Sequence, residues 1–326
     1  MNENHGELKV FAGRNQIDFT RGVCEHLRLP IGVARTEVFP DGELISHIEE
    51  DVRGRDCFVV LSTCEPVNDN LMELLIFADS LRRSSAKRLT AVIPYFGYGR
   101  QDRKERGRTP ITAKLVANLI AGAGFDRVVA IDLHAAQIQG FFDIPVDHLS
   151  AAPVFADYLL GIREELGDVV VVSPDVGNVK VATGYADFLG GDLAITFKKR
   201  ISGSEVQASQ IVGNVKNRTV LMVDDMISTG GTICEAARVL RDAGANRIIV
   251  AATHGVFCGP AVERISKSHI DRLIVTNTIP HERRTAPIKG RVVTLCVSKL
   301  FADAIRHIHE NKSISALFKQ FAESKR

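Results

Sequence analysis

No C-x-x-C pair occurs in the chain: its six cysteines, Cys24, Cys57, Cys64, Cys234, Cys258 and Cys296, are scattered over 326 residues. That argues against a zinc ribbon and reads as reduced thiols in a cytosolic protein. No apolar run approaches the roughly 18–20 residues that span a bilayer. The opening "MNENHGELKV" lacks the apolar core of a signal peptide. Neither sign of charge is in excess: 41 Lys and Arg against 39 Asp and Glu give a formal net charge of +2. There is accordingly no global electrostatic case for nucleic acid. Low-complexity segments and short tandem repeats are missing, as is the G-x-x-x-x-G-K-[ST] signature of a P-loop. These absences lead to the expectation of a soluble cytoplasmic protein without a membrane or nucleic-acid partner.

What is present is a series of short apolar runs rich in Val and Ile. They are "FVVL" (58–61), "LTAVI" (89–93), "VVAI" (128–131), "VVVV" (169–172), "TVLMV" (219–223), "RIIVAA" (247–252) and "RLIV" (272–275). Continuous apolarity rather than alternation predicts strands of a parallel sheet covered on both faces. The spacers carry helical period. In "ICEAARVLRDAG", Ile233, Ala236, Ala237 and Leu240 share one face and Gly244 fits the position after the helix end. In "TPITAKLVANLIAGAG", Thr109 is expected as N-cap, Pro110 as first helical residue, and Leu115, Leu119 and Ile120 as inward. Alternating strands and helices predict a doubly wound α/β fold. A division near "VDHLSAAPVF" gives two domains, 1–149 and 150–326.

Chemistry concentrates where strands end. "VLMVDDMISTGGT" (220–232) begins as a strand, carries Asp224 and Asp225, and finishes in hydroxyls and glycines that feed a helix. Ligands of open parallel sheets sit at such ends, and a helix N-terminus suits a phosphate. Gly230 and Gly231 allow close backbone approach, while Ser228, Thr229 and Thr232 add donors. Two carboxylates cannot hold phosphate but can accept from hydroxyls, so the stretch reads as a sugar-phosphate site; a plain loop with helix-capping hydroxyls is the alternative. "IPYFGYGRQDRKERGR" (93–108) interleaves aromatics with five basic residues and reads as arginine clamps on a polyphosphate. A nucleic-acid patch or a solvated charged loop are its alternatives. "AIDLHAAQ" puts His134 just past a strand, "SPDVGNVK" puts Asp175 there, and "FKKRISGSE" carries a basic cluster that alone reads as an exposed hairpin tip.

Taken together, and with "EVFPDGE" (37–43), "STCEPVNDNLMELL" (62–75) and "DLHAAQIQGFFDIPVDHL", these stretches resemble the ribose-phosphate pyrophosphokinase family over nearly the whole chain. The resemblance implies two doubly wound domains of phosphoribosyltransferase-like type, the first on the ATP side and the second binding ribose 5-phosphate. It implies transfer of the β,γ-diphosphoryl group of ATP to the anomeric hydroxyl of ribose 5-phosphate, with release of AMP and with Mg2+ as cofactor. Phe39, Asp41, Gly42 and Glu43 would form an adenine-side loop that in the family is lent by a neighbouring subunit of a homo-oligomer, a hexamer. Arg100 and Gln101 would contact ATP, and His134 and Asp175 would be associated with magnesium. Lys198 and Arg200 match a basic catalytic pair, Arg200 also facing ribose 5-phosphate. Asp224 and Asp225 would face the ribose hydroxyls, and Ser228, Thr229, Gly230, Gly231 and Thr232 would wrap the phosphate. Ser228 stands where many members carry a third acidic residue, and Ala136 and His148 replace residues that in some members line a regulatory site. A phosphoribosyltransferase, or a non-catalytic subunit of the same family, are the competing readings.

Overall fold

The computed structural model describes residues 6–174, 177–200 and 207–315, with backbone alone at 197–200 and 207–210. The chain opens with β1 (Leu8–Ala12), α1 (Ile17–Leu27) and an antiparallel hairpin of β2 (Ala34–Val38) and β3 (Leu44–Ile48). There follow β4 (Asp56–Val60), α2 (Val67–Arg83), β5 (Arg88–Ile93), α3 (Thr112–Gly122), β6 (Arg127–Ile131) and β7 (Val146–Leu149). After α4 (Ala152–Gly161) and the short α5 (Arg163–Leu166) come β8 (Val169–Ser173), α6 (Val179–Leu189), β9 (Asp192–Arg200) and β10 (Gln207–Val212). The last series is β11 (Thr219–Ile227), α7 (Gly231–Asp242), β12 (Arg247–Gly255) and α8 (Ala261–Ser266). It closes with β13 (Arg272–Thr276), α9 (Glu282–Thr285), β14 (Val292–Leu295) and α10 (Ser298–His309).

These elements form two units, each around its own sheet. The first contains residues up to Ser150, Thr278–Pro280 and the segment starting at Val297; the second contains Ala151–Asn277 and His281–Cys296. Sequence alone puts everything after residue 149 in one domain, whereas α10 clusters with the first unit. The reason is packing. Phe301, Ala302, Ile305 and Ile308 form a buried stripe on α10, and Phe301 meets Phe19 of α1 edge-on with ring centroids 5.4 Å apart. Polar bonds fix the position: Ser298 Oγ donates to the Phe19 carbonyl at 3.3 Å and Arg306 Nη2 to that of His26 at 2.7 Å. The fully buried Asp56 carboxylate accepts from Arg88 Nε at 2.8 Å and pairs with His309 Nδ1 at 2.8 Å.

In the first unit the five strands run parallel in the order β1-β4-β5-β6-β7. Every residue of β4 is buried, as the unbroken apolar run requires. Cys57, Val59, Leu89, Ala91 and Ile93 share a core with Leu74 and Phe77 of α2 and Ile120 of α3. The alternate positions Phe58, Val60 and Val92 are buried on the opposite face of the sheet, where α1 and α10 pack together. Helix α3 differs from expectation. It starts at Thr112 with Ile111 as N-cap, while Thr109 Oγ1 donates back to the Arg106 carbonyl at 2.8 Å. The inward stripe is Ala113, Val116, Ala117 and Ile120, so Leu115 and Leu119 fall off it and are 55% and 42% exposed.

In the second unit the order is β10-β9-β8-β11-β12-β13-β14, parallel except for the β9–β10 pair. From β8 the chain steps outward one way, through α6 to β9. From β11 it steps the other way, through α7 and α8 to β12, β13 and β14. Ile233, Ala236, Ala237 and Leu240 of α7 and Ile265 of α8 join one core cluster. The buried face of α6, Ala182, Tyr185, Ala186 and Leu189, lies outside that cluster, against β8 and β9. Between β8 and β11 the winding therefore reverses, and the crevice at such a switch point is where open α/β sheets bind ligands.

Candidate active site

Strand β11 projects past its neighbour at the switch point. Its pairing with β8 ends at Met222, but its pairing with β12 continues through Asp224, Met226 and Ile227. Asp224 and Asp225, expected where the strand stops, instead lie on this one-sided overhang, with half-buried side chains. Asp224 Oδ1 accepts from the Asp225 N–H at 2.9 Å. Across the crevice Asn178, the N-cap residue of α6, donates from Nδ2 to the Val223 carbonyl at 2.8 Å and ties the two arms of the switch together.

The loop that follows is only three residues long, Ser228–Gly230, before α7 begins at Gly231. Gly230 has φ 74° and ψ −4°, left-handed backbone that glycine adopts without a Cβ penalty. Three successive carbonyls are all taken from one side. Phe257 N–H donates to Ile227 O at 3.0 Å, Cys258 N–H to Ser228 O at 3.1 Å, and Arg264 Nη1 to Thr229 O at 3.2 Å. These peptides are trans, so the N–H of each points opposite to its C=O. The N–H groups of Ser228, Thr229 and Gly230 are therefore turned away from the 257–264 segment. They join the first N–H groups of α7, where the helix dipole is positive. Such a row of donors suits an anion. Ser228 Oγ lies 3.3 Å from Cys258 Sγ, either of which could donate.

In the first unit, the stretch after β5 is tied to the end of β4. Gly97 N–H donates to Thr63 Oγ1 at 2.6 Å, and a Cβ on Gly97 would stand 2.2 Å from the Thr63 carbonyl oxygen, so only glycine fits. Arg100 follows, exposed; Gln101 Oε1 accepts from Thr112 Oγ1 at 2.5 Å and its carbonyl accepts from the Ala113 N–H at 3.2 Å, placing it at the start of α3. His134, just beyond β6, is also exposed, and its Cβ is 3.7 Å from where a Cβ of Gly99 would be. The structure thus brings His134 beside the Arg100–Gln101 stretch. Gln137 Nε2 donates to Asp102 Oδ2 at 3.1 Å and joins the same two loops. Phe39, Asp41, Gly42 and Glu43 are exposed at the tip of the β2–β3 hairpin. That tip is closed by Phe39 N–H to Glu43 O at 2.8 Å and Gly42 N–H to Phe39 O at 2.9 Å.

Lys198 and Arg200 lie on β9, paired in register with Ser209 and Gln207 of β10. Asp175 lies outside the described residues. His148 holds the His134 loop: its Nε2 accepts from the Leu133 N–H at 2.9 Å, and burial pushes its pKa down, opposed by the nearby Asp132 carboxylate.

Comparison with known proteins decides what this arrangement belongs to. Residues 8–124 match the N-terminal domain of ribose phosphate pyrophosphokinase, and residues 204–319 match the phosphoribosyl synthetase-associated domain. The ribose-phosphate pyrophosphokinase of Rhodopirellula baltica is 54% identical over 96% of this chain and 99% of its own length. That of Campylobacter jejuni is 49% identical over 95% of this chain and 98% of its own. The crystal structure of phosphoribosylpyrophosphate synthetase from Mycobacterium smegmatis superposes with a TM-score of 0.88, at 43% identity, covering 94% of this chain and all of that one. The chain belongs to the ribose-phosphate pyrophosphokinase family.

As a member of that family it is an enzyme, a kinase-type transferase of nucleotide biosynthesis, and its chemistry is consistent with a metal cofactor. Among the described residues, no three His, Cys, Asp or Glu side chains cluster as a ligand set. Of the two positions expected at a metal, His134 is exposed and Asp175 lies outside the described residues. The imidazole of His134 suits contact with a bound water or a phosphate oxygen better than direct ligation of a hard cation. No helix among the described residues is long and apolar enough to cross a membrane. Residues that sequence reasoning missed are Cys258 and Arg264, and Asn178 was quoted only as part of "SPDVGNVK" with no role of its own. Their partners lie far along the chain, Arg264 acting across 35 residues and Asn178 across 45.

Proposed function

We propose that this chain transfers the β,γ-diphosphoryl group of ATP to the 1-hydroxyl of ribose 5-phosphate, giving 5-phosphoribosyl 1-diphosphate and AMP. One observation carries the reading: a loop whose N–H groups face the switch-point crevice, directly downstream of two carboxylates on an overhanging strand. Phosphate on the N–H row, with sugar hydroxyls donating to Asp224 and Asp225, uses every one of those groups. In the reaction the anomeric oxygen bonds to the β-phosphorus, the bond from that phosphorus to the bridging oxygen of the α-phosphate breaks, and the hydroxyl proton passes to solvent.

Positioning and charge neutralisation supply most of the acceleration for such a transfer. Lys198 and Arg200 are assigned to the phosphoryl oxygens, Arg200 also to ribose 5-phosphate, and Arg100 and Gln101 to ATP. Phe39, Asp41, Gly42 and Glu43 are assigned to the adenine of a neighbouring copy in a homohexamer, which accords with their exposure at the tip of the β2–β3 hairpin. His134 and Asp175 are assigned to Mg2+, which when bound supplies neutralisation of phosphate charge and orients the polyphosphate. Purified protein incubated with Mg-ATP and ribose 5-phosphate is expected to release AMP and to give the diphosphate resonances of the product in 31P NMR. ATP consumed to ADP, or no turnover without an added nucleobase, would overturn the proposal.

A further inference from the structure

Of the three carbonyls that orient the phosphate loop, two are held by backbone N–H groups and the third by a side chain. Arg264 projects from α8, reaches back with Nη1 to Thr229 O at 3.2 Å, and lies 3.5 Å from where a Cβ of Gly231 would stand. Its guanidinium is therefore beside the first residue of α7. The platform that carries it is firm. Ala261 and Ile265 of α8 are fully buried, and Arg284 Nη1 donates to Val256 O at 3.0 Å to hold the connection leading into the helix. The adjacent carboxylate of Glu263 is engaged by Lys267 at 2.7 Å.

We propose that Arg264 is a positioning residue for the sugar phosphate. It does not touch the substrate; it fixes the peptide between Thr229 and Gly230 so that the Gly230 N–H faces the phosphate. A charged donor on the carbonyl also polarises that peptide, making its N–H a stronger donor at the other end. The positive charge behind the loop adds to the dipole of α7. The proposal rests on the reading of this loop as the ribose 5-phosphate site.

The test uses the full chain, with Arg264→Met, Arg264→Lys and Asp224→Asn compared by steady-state kinetics against each substrate and by thermal unfolding. Arg264→Met is expected to raise KM for ribose 5-phosphate about tenfold, equivalent to about 1.4 kcal/mol. KM for ATP should stay unchanged, and Arg264→Lys, which keeps the charge but not the fork, should show a smaller rise for the same substrate. If Asp224→Asn weakens ribose 5-phosphate and Arg264→Met does not, the positioning role is wrong and the site reading stands. If neither does, the site reading fails and takes the proposal with it. A rise in both Michaelis constants together means that Arg264 merely supports α8, and this too overturns the proposal. Should Arg264→Met not fold, Arg264→Lys decides by the same criterion: a rise confined to ribose 5-phosphate supports positioning, and a rise in both constants or in neither refutes it.

Discussion

Replacing Gly230 by alanine isolates the backbone geometry of the phosphate loop. A Cβ at this position would lie 3.4 Å from Ala261 O, 3.5 Å from Ala261 Cα and 3.6 Å from Ile265 Cγ1, which are van der Waals contacts without a clash. The penalty is therefore that of holding an L-residue at φ 74°, roughly 1–2 kcal/mol. Relaxing φ would break bonds on one side or the other. Three loop carbonyls are held by Phe257, Cys258 and Arg264, and Gly230 O accepts from the Cys234 N–H at 3.0 Å. Each such bond is worth about 1 kcal/mol, so the loop should keep its shape and store the strain. For a unit of this size the loss corresponds to a fall in Tm of roughly 2–8 °C. Calorimetry and urea unfolding would measure it, with Gly231→Ala as control. Gly231 lacks the positive φ, and its added Cβ would make only ordinary van der Waals contacts, with Arg264 Nη1 at 3.5 Å and Thr229 Oγ1 at 3.9 Å. The control should be neutral or slightly stabilising, since alanine is the better helix former. Equal stabilities for the two variants would refute the conformational argument; a loss beyond about 4 kcal/mol, typical of core collapse, would refute the claim that no clash adds to it.

Lys198→Ala should lower kcat by about 10²–10³, the usual effect of losing one donor to transition-state charge, with ATP affinity preserved; turnover close to that of the parent would remove Lys198 from the mechanism. Ser228→Asp should change KM for ribose 5-phosphate by less than about tenfold, or 1.4 kcal/mol, because N–H groups rather than the hydroxyl face the phosphate and Ser228 Oγ already lies 3.3 Å from Cys258 Sγ. A far larger rise confined to that substrate would mean that the hydroxyl itself binds phosphate. Burial lowers the folded pKa of His148 below its unfolded value, with Asp132 opposing the shift. The stability this contributes is present above about pH 6.5 and is lost as pH falls toward the folded pKa, because the unfolded chain then binds the proton first. His148→Gln should flatten the stability profile below that pH, and an unaltered acid limb in urea titrations would exclude the residue.

Local pattern carried much of this structure into the sequence. The seven apolar runs became parallel strands because burial on both faces leaves no room for alternation, and the α7 stripe of Ile233, Ala236, Ala237 and Leu240 is buried where its 3.6-residue period put it. The loop at 228–232 was legible because glycine, hydroxyls and a helix start coincide there. Period alone could not choose between two apolar stripes on α3: Ala113, Val116, Ala117 and Ile120 face the core, and the larger Leu115 and Leu119 face outward. Nor could it register that β11 outruns β8, a fact about neighbouring strands rather than about β11 itself. Arg264 escaped for a related reason, as did the role of Asn178: each is an ordinary surface-type residue, on or capping a helix, and gains meaning only from the carbonyl that folding brings to it.

The return of α10 to the first unit has a consequence for synthesis on the ribosome. A nascent chain that has emerged only as far as Ser150 holds every strand of the first sheet, yet lacks the helix that covers Phe19 and the imidazole that meets the buried Asp56. The intervening stretch of about 150 residues takes roughly 8–30 s to make at about 5–20 residues per second. Throughout that interval the surface of α1 that carries Phe19 lacks its apolar cover and is available to a chaperone. Completion of the first unit is therefore timed by the arrival of α10.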